Sequence, residues 1–559
     1  MSDIPPNVLG RVALFSADLS PLGDERLRAA LSSRQQALLV SAVNFHSLDN
    51  PGMRLRIVVH VAGPDGGSHL TDAGTRRNKI ATDATKVAEF SILSSVQGSP
   101  HPHYTHTSKG WIVDAETGVR HIVLDAEREP GSAARNHASL YWRLRGGIER
   151  RYPFEYDRLR QWLLRGRESA LNSQVIERRI VDVTGIVSGA PAEGLEPAVI
   201  FGVHWLELGG AERWALESIA LARAQGLRPI VITDVPSAHP WITRAELNGA
   251  IVLTLTHPLE QPEHSEPLLE ALVTSFDVKG VFVHHSRWLY DRLPWLRHRL
   301  PGVKVTTTHH ILEYNGGGYP AIGAAHDEFI DVHHVISPQL EDWLERVQGI
   351  PPAKIALKPL IGLTTTGEVA SAARPRVDPT VLTLGFIGRF AAQKRPYLFT
   401  KLVRDLSEVN GLSIRVVIQG GGELEHFVRR DIDSHGLAGI VEWVGEGAPV
   451  SDTLNRIDCL VLSSQNEGLT LTTLEALAAG VPVISTDVGS QRTVIAPDAL
   501  VPRDPGRFLV EAGDIVKRMA ESESYRVDVW RREMALAQEF TTYESAHDWA
   551  GKLFHEWTR

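Results

Sequence analysis

Twice along this chain, short and nearly unbroken apolar runs alternate with longer segments whose apolar residues recur every three to four positions. "AVIFGVHW" (198–205) is the first such run. It is followed by the amphipathic "AERWALESIALARAQG", which stops at Gly226, and then by "RPIVIT". "AIVLTL", "GVFVHH", "VKVTTT" and "HHVIS" continue the series to residue 337. Continuous apolar runs suit strands buried on both faces of a parallel sheet, and the periodic segments suit the helices that cover it. Residues 360–380 carry no period and are rich in small residues, threonine and proline, which marks a linker. The alternation then resumes with "VLTLGFIG", "SIRVVIQ", "IVEWVG", "DCLVLSS" and "VPVIS". Two α/β domains in tandem imply a cleft between the carboxyl ends of two sheets, where open α/β sheets bind ligands.

The first 140 residues read differently. "RLRIVVHVAG", "KVAEFSILSS" and "GWIVDAETGVRHIVL" are strand-like runs punctuated by Gly, Pro, Asp and Asn, with little helical periodicity. A mainly β accessory domain, sandwich or barrel-like, is expected over 1–140. Residues 141–194 turn basic, with Arg143, Arg145, Arg150, Arg151, Arg158, Arg160, Arg165 and Arg167, and are expected to form a helical connector. The pattern thus divides the rest into an N-terminal α/β domain over 195–370 and a C-terminal one over 371–540.

Composition narrows the class. At 559 residues the chain is too long for one core. Its 43% hydrophobic content, 22% charged content and net charge of -9 are those of an ordinary globular protein with no bias toward nucleic acid. The start "MSDIPPNVLG" lacks a basic region followed by an apolar stretch, and no apolar run approaches the roughly 20 residues that cross a bilayer. The single cysteine, Cys459, lies in an apolar run, so a cytoplasmic location is expected.

The chemistry concentrates in "NEGLTLTTLEALAAGVPVIS" (466–485), which holds Glu467 and Glu475 with seven residues between them. Glu467 follows a strand and precedes a helix, whose free N–H groups and positive dipole end suit an anion such as phosphate. Glu475 has two readings: it faces a ligand, or it closes a capping box with Thr472. "LGFIGRFAAQKRP" (384–396) places Gly388 and Arg389 after a strand and Lys394 at the next helix. An arginine offers a bidentate fork to phosphate oxygens and a lysine a point charge, although surface solvation is their commoner fate. Gly209 and Gly210 in "ELGGAER" stand at the first strand-to-helix turn, where glycine permits close backbone approach or simply forms a tight turn.

In the order and spacing of "GGAER", "GFIGRFAAQKRP", "VIQGGGELE", "VEWVGE" and "NEGLTLTTLEALAAGVPVIS", the chain from about 195 to 559 resembles the retaining glycosyltransferases of family four. The resemblance implies the GT-B fold of two facing Rossmann-like domains, with a final helix over 541–559 crossing back to the N-terminal domain. It implies transfer of a hexose from a nucleotide diphosphate sugar, with no resident metal or other cofactor. Carried over by position, Arg389 and Lys394 would hold the diphosphate, Glu475 the ribose, and Glu467 the transferred sugar. The backbone at Gly468, Leu469 and Thr470 would cap sugar and phosphate, and the strand holding Trp443 would supply the base-reading edge. The catalytic-site histidine would be His309, favoured over His310, with His284 and His285 lining the acceptor side. The family often has glycine or proline where Thr470 stands, and its usual Asn-Gly-Val-Asp is replaced by "PLIGLTTT". The implied acceptor is a saccharide, lipid-linked or cell-envelope glycan. The alternatives are synthesis of a small soluble glycoside, or a non-catalytic sugar-nucleotide-binding scaffold.

Other signals weigh less. "HPHYTH" groups His101, His103 and His106, but no further ligand joins them, so a polar loop is expected. Asp431 and Asp433 mimic a metal-holding Asp-x-Asp but fall in an amphipathic helix. "SRWLYDRLPWLRHRL" (286–300) and the arginine-rich 143–167 are candidates for peripheral contact with the inner membrane face, against the alternative of ordinary amphipathic helices. Residues 1–190 are expected to be a separable module for acceptor binding or self-association.

Overall fold

The computed structural model describes residues 15–17, 25–63, 71–72, 84–94, 96, 119–125 and, with short interruptions, 151–559. The histidines of "HPHYTH", residues 110–118, Arg143, Arg145, Arg150 and 362–368 of the linker lie outside the described residues.

The N-terminal region holds β1 (Phe15–Ala17), helix α1 (Ser33–Asp49), β2 (Arg54–Val61), β3 (Thr71–Asp72), β4 (Thr85–Ser94) and β5 (Val119–Leu124). Its strands form one sheet in the order β1-β4-β2-β5-β3, with β2 parallel to β5 and the other pairs antiparallel. The region is mostly β, but among the described residues it is a single mixed sheet with two helices, α1 and a short one over Glu25–Ala30, and not the expected sandwich or barrel. Helix α1 escapes a periodicity search because it is buried nearly all round and shows no polar face. What starts it is a reciprocal capping box: Gln35 N–H donates to Ser32 Oγ (3.2 Å) and Ser32 N–H to Gln35 Oε1 (3.0 Å).

This region packs directly on the next sheet. Thr254 N–H, on an edge strand of the next sheet, donates to Ser41 Oγ of α1 at 2.8 Å, so α1 covers that open edge. Arg34 Nη1 reaches both Asp125 Oδ1 (3.0 Å) and the Ala238 carbonyl (2.7 Å). Leu38, Leu39 and Val43 join the same apolar core as Val199 and Phe201. Residues of α1 thus cover a sheet edge and share a core with the first α/β domain.

The connector helix α2 (Pro153–Leu171) leads into a seven-stranded, all-parallel sheet. Its strands are β6 (Pro197–Val203), β7 (Arg228–Thr233), β8 (Ile251–Thr254), β9 (Asp277–His284), β10 (Lys304–His309), β11 (Val332–Val335) and β12 (Ile355–Leu357), in the order β12-β11-β10-β9-β6-β7-β8. Helix α3 (Gly210–Ala224) follows β6, and α4 (Gly318–Ala325) packs behind the end of β10. The stretch 286–300 is core and not a membrane face: Trp288, Leu293, Trp295 and Leu296 are all buried, and so is Arg292.

The second parallel sheet runs β15-β14-β13-β16-β17-β18. Its strands are β13 (Leu382–Ile387), β14 (Ile414–Gln419), β15 (Val441–Val444), β16 (Cys459–Leu462), β17 (Val483–Thr486) and β18 (Leu500–Val501). Helices α5 (Pro396–Arg404), α6 (Glu425–Ser434), α7 (Leu471–Ala478), α8 (Pro505–Glu521) and α9 (Glu523–Phe540) belong to this domain. Asp431 of the Asp-x-Asp lies on α6 and accepts from Thr400 Oγ1 at 2.7 Å. The last helix, α10 (Ala546–Trp557), returns to the first sheet, with Phe554 against Phe201 and Phe282. A Cβ at Gly280 would lie 2.3 Å from the Trp557 ring, so glycine is needed there for the helix to seat. Among the described residues, no helix is long and apolar enough to cross a membrane.

Strands β9, β10 and β11 carry histidine pairs at or near their carboxyl ends: His284 and His285, His309 and His310, His333 and His334. All six are buried. Burial pushes all of them below the usual histidine range, and His334 down to about 4. In the unfolded chain the same residues take up protons near pH 6.5. Between that pH and their folded values, the unfolded state binds more protons, so stability is lost as pH falls. The expected slope is up to about 1.4 kcal/mol per pH unit for each histidine held neutral. Denaturant unfolding across the range from neutral to about pH 5 measures it, and His334→Gln should make the slope shallower.

Candidate active site

Both parallel sheets reverse their strand order once, between β6 and β9 in the first and between β13 and β16 in the second. Such a switch point leaves a crevice at the strand carboxyl ends, because the two connections leave in opposite directions. The candidate residues of the second domain come from the two loops that flank its crevice.

The loop after β13 begins at Gly388, whose N–H donates to the Gln419 carbonyl at 3.0 Å. A Cβ at Gly420 would stand 2.0 Å from the Gly388 oxygen, so the loop can lie this close only against glycine. Farther along, Lys394 extends its Nζ to 2.6 Å from Oε1 of Glu467, which follows β16. Glu467 is 8% exposed and Lys394 25%, so the pair is largely withdrawn from water while the ammonium keeps an open side. Arg389 is exposed on the same loop. Gly388, Lys394 and Glu467 are therefore brought together.

Glu467 leads into the meeting of the two domains. A Cβ at Gly468 would lie 1.9 Å from the His310 carbonyl oxygen, so the backbone of one domain rests on that of the other. Leu469 is buried beside it. Thr470 is the N-cap of α7 in position only: its side chain makes no capping bond, and its Oγ1 instead accepts from Gln491 Nε2 at 3.0 Å. Because α7 starts at Leu471, Thr472 is inside the helix and the capping-box reading of Glu475 falls. Glu475 faces the other domain, with Oε1 3.8 Å from Arg213 Nη1 on α3.

The remaining positions sit less simply. Gly209 and Gly210 begin α3, but the Glu212 carboxylate folds back over Gly209, 1.9 Å from where a Cβ would be. Burial raises the Glu212 pKa, but bonds from His204 (3.1 Å) and Trp205 Nε1 (2.8 Å) outweigh it and hold the group below its usual range. The anion position at this helix end is thus filled by the chain itself, which corrects the reading of Gly209 as an open ligand contact. Gly210 faces α7 across the cleft, 3.4 Å from Leu471 as measured from a built Cβ. Trp443 is sandwiched, with the Arg429 guanidinium 4.1 Å over its ring and Phe390 edge-on at 6.1 Å. Its side chain packs within its own domain, so that edge can meet a ligand through backbone.

His309 does not face the cleft. Its ring has no exposed surface, lies 3.1 Å from His333 Nδ1 and 3.0 Å from Thr307 Oγ1, and packs on Gly323 of α4. Alternation along β10 turns the His310 ring to the opposite face, where it is also buried and lies 3.3 Å from Thr308 Oγ1, while its backbone carbonyl meets Gly468. His284 is likewise interior, 2.9 Å from Ser218 Oγ under α3. His285 is buried at the end of β9, where its ring stacks on Tyr319 at 4.6 Å and meets His310 edge-on at 5.0 Å. His204, whose ring is 5.7 Å from that of His285, completes this group. Sequence reading missed His204, Glu212 and Tyr319; the position of His204 just beyond β6, at the switch point, was the available signal.

Residues 372–522 match the profile of the family described as glycosyl transferases group 1. A D-inositol 3-phosphate glycosyltransferase of Actinosynnema mirum is 27% identical over 237 residues, which is 37% of this chain and 56% of that one. The lipopolysaccharide core biosynthesis mannosyltransferase LpsB of Rhizobium meliloti is 29% identical over 161 residues, covering 27% and 43%. The chain thus spans about half the length of the curated relatives it matches. Among solved structures, the Anabaena protein HepE, in complex with UDP and glucose, superposes with a TM-score of 0.50 at 12% identity, over 64% of this chain and 98% of that one. That likeness shows the fold. The chain thus has the GT-B fold, and residues 372–522, in its second α/β domain, resemble the glycosyl transferases of group 1.

Proposed function

We propose that this protein transfers a hexose from a nucleotide diphosphate sugar to a saccharide, lipid-linked or cell-envelope glycan, with retention at the anomeric carbon and without a metal ion. The observation that carries the reading is the Lys394–Glu467 pair at the switch point of the domain that matches the group 1 profile, next in the chain to Gly468, whose backbone rests on the His310 carbonyl of the facing domain. Breaking the glycosyl–phosphate bond leaves a diphosphate with growing negative charge. Lys394, Arg389 and the amino end of α7 are the cationic groups that would stabilise it in a cleft poor in water. In the chain as it stands, Lys394 is neutralised by Glu467. A bound diphosphate would take over the ammonium and leave the carboxylate to the hydroxyls and developing positive charge of the sugar. Glu475, aimed across the cleft, suits the ribose. Gly468, Leu469 and Thr470 offer backbone groups to sugar and phosphate. His310 takes the role first given to His309, with His285, His204 and Tyr319 on the acceptor side.

The outer face of α2 supports a location at the inner face of the membrane for a cytoplasmic protein. Leu159, Trp162 and Leu163 share one helical stripe and are 55–63% exposed, with Tyr152 a turn or two earlier and Arg151 and Arg158 nearby. Apolar residues rimmed by arginine suit an interface of anionic lipid.

Three measurements test these readings. Incubation of the purified protein with UDP-, GDP-, ADP- and TDP-hexoses should release nucleotide diphosphate, with proton NMR showing a product of unchanged anomeric configuration and full activity persisting in EDTA. An inverted product, or recovery only on adding magnesium, rejects the corresponding part. Lys394→Ala should lower turnover by roughly 10²-fold or more, whereas Glu475→Gln should weaken nucleotide binding in calorimetry with little change in unfolding temperature. Finally, the protein should co-sediment with vesicles containing anionic lipid but not with neutral ones, and Trp162→Glu with Leu163→Glu should abolish this. If light scattering shows those substitutions dissolving an oligomer instead, the stripe is a self-association face.

A further inference from the structure

We propose that the connector helix α2, outside the segment that matches the group 1 family, is a working part of the donor site, with Asp157 and Arg160 as positioning residues for the loops that carry Lys394 and Glu467. The inference rests on the reading of those two residues as the donor pair.

The argument begins at Arg395, next to Lys394. Arg395 has no exposed surface and sits in the left-handed region, at φ 51° and ψ 52°. A side-chain-bearing residue stays there only where its surroundings over-determine it. What determines it is its guanidinium. Nε donates to the Ser463 carbonyl, Nη2 to the Ser464 carbonyl at 3.1 Å, and Nη1 to the Arg503 carbonyl at 2.7 Å. The counter-charge comes from α2: Asp157 Oδ2 lies 3.2 Å from Nη1, itself 3% exposed. A buried guanidinium deprived of its carboxylate is left as an uncompensated charge, and the local backbone moves to relieve it.

One turn on, Arg160 Nη1 donates to Gln465 Oε1 at 3.0 Å. Gln465 belongs to the other loop, two residues before Glu467, and its N–H donates to the Gln393 carbonyl at 2.7 Å. Gln393 Nε2 returns a bond to the Asn466 carbonyl at 3.0 Å, and Ser463 Oγ donates to the Lys394 carbonyl at 3.0 Å. The two loops are laced together by these bonds, and α2 grips one through Asp157 and the other through Arg160. Neither side chain reaches Lys394 Nζ or the Glu467 carboxylate, so their effect is on where those groups sit. Displacements of about 1 Å in such groups cost up to about 10²-fold in rate.

The test uses the full-length protein with Arg160→Ala and Asp157→Asn. Three readouts are compared with wild type: hydrogen exchange in residues 389–396 and 463–468, kcat and KM for the nucleotide sugar that wild type turns over, and the unfolding temperature. Arg160→Ala is expected to keep its unfolding temperature, exchange faster in both loops, and lose about tenfold in kcat/KM. Asp157→Asn should change in the same direction and further. If Asp157→Asn fails to fold, Arg160→Ala decides alone. A fall in unfolding temperature with loop exchange unchanged and kcat/KM within twofold overturns the proposal, because it shows a helix that only adds stability. Should wild type turn over no nucleotide sugar, the functional reading fails by itself, and the exchange data still decide whether α2 holds the two loops.

Discussion

Lys394 and Glu467 are 73 residues apart in the chain and 2.6 Å apart in space, and the condition for their meeting is that β13 and β16 be neighbours in a parallel sheet. A parallel sheet sends every strand's carboxyl end to one side, so each following loop rises from the same edge. Two strands that are adjacent but not consecutive leave their connections diverging, and the gap between them is where a cation and a carboxylate can face each other. The same rule in the first sheet puts His204 after β6 and His285 after β9. The cleft groups of both domains are thus consequences of strand order before any side chain is considered.

That arrangement is held from behind by parts of the chain that show no α/β pattern. Helix α1 closes the edge of the first sheet through a single backbone bond from Thr254 and a shared apolar core. Helix α2 packs on the second domain, and its last residue and the chain that follows are tied to the first: Trp343 Nε1 donates to the Leu171 carbonyl at 3.1 Å, and Arg179 N–H to the Ala325 carbonyl at 2.7 Å. The terminal helix α10 ties the other end of the chain to the same sheet. Two domains joined only by a linker would be free to drift. Here the connector and the last helix also bind each to the other.

The closeness of the domains is visible in what glycine permits. Gly468 against the His310 carbonyl and Gly210 against Leu471 leave no room for a side chain or little to spare. A charge contact across the gap, Arg213 to Glu475 at 3.8 Å, is long and 39% exposed on the arginine side, which makes it a weak tie that a ligand hydroxyl can replace.

How much of this was legible beforehand follows from which signals are local. Continuous apolar runs marked the parallel strands, because burial on both faces leaves no polar alternation, and the glycine, lysine and glutamate of the site stood directly after those runs. Helix α1 was not legible, since a helix buried on all sides has no polar face to give it a period. The facing of the histidines was not legible either. One residue along β10 reverses a side chain's direction, and only packing decides that His309 goes under α4 while the His310 carbonyl meets Gly468 of the other domain. By itself, then, the sequence determined the two parallel sheets and the loops that carry Lys394, Glu467 and Glu475, because strand burial and chain order are written locally. Tertiary structure alone decided which histidine meets the cleft, that Glu212 occupies the end of α3, and that Asp157 of a distant helix neutralises Arg395. Those outcomes depend on pairs of residues brought together from far along the chain, and no local pattern records which pairs will meet.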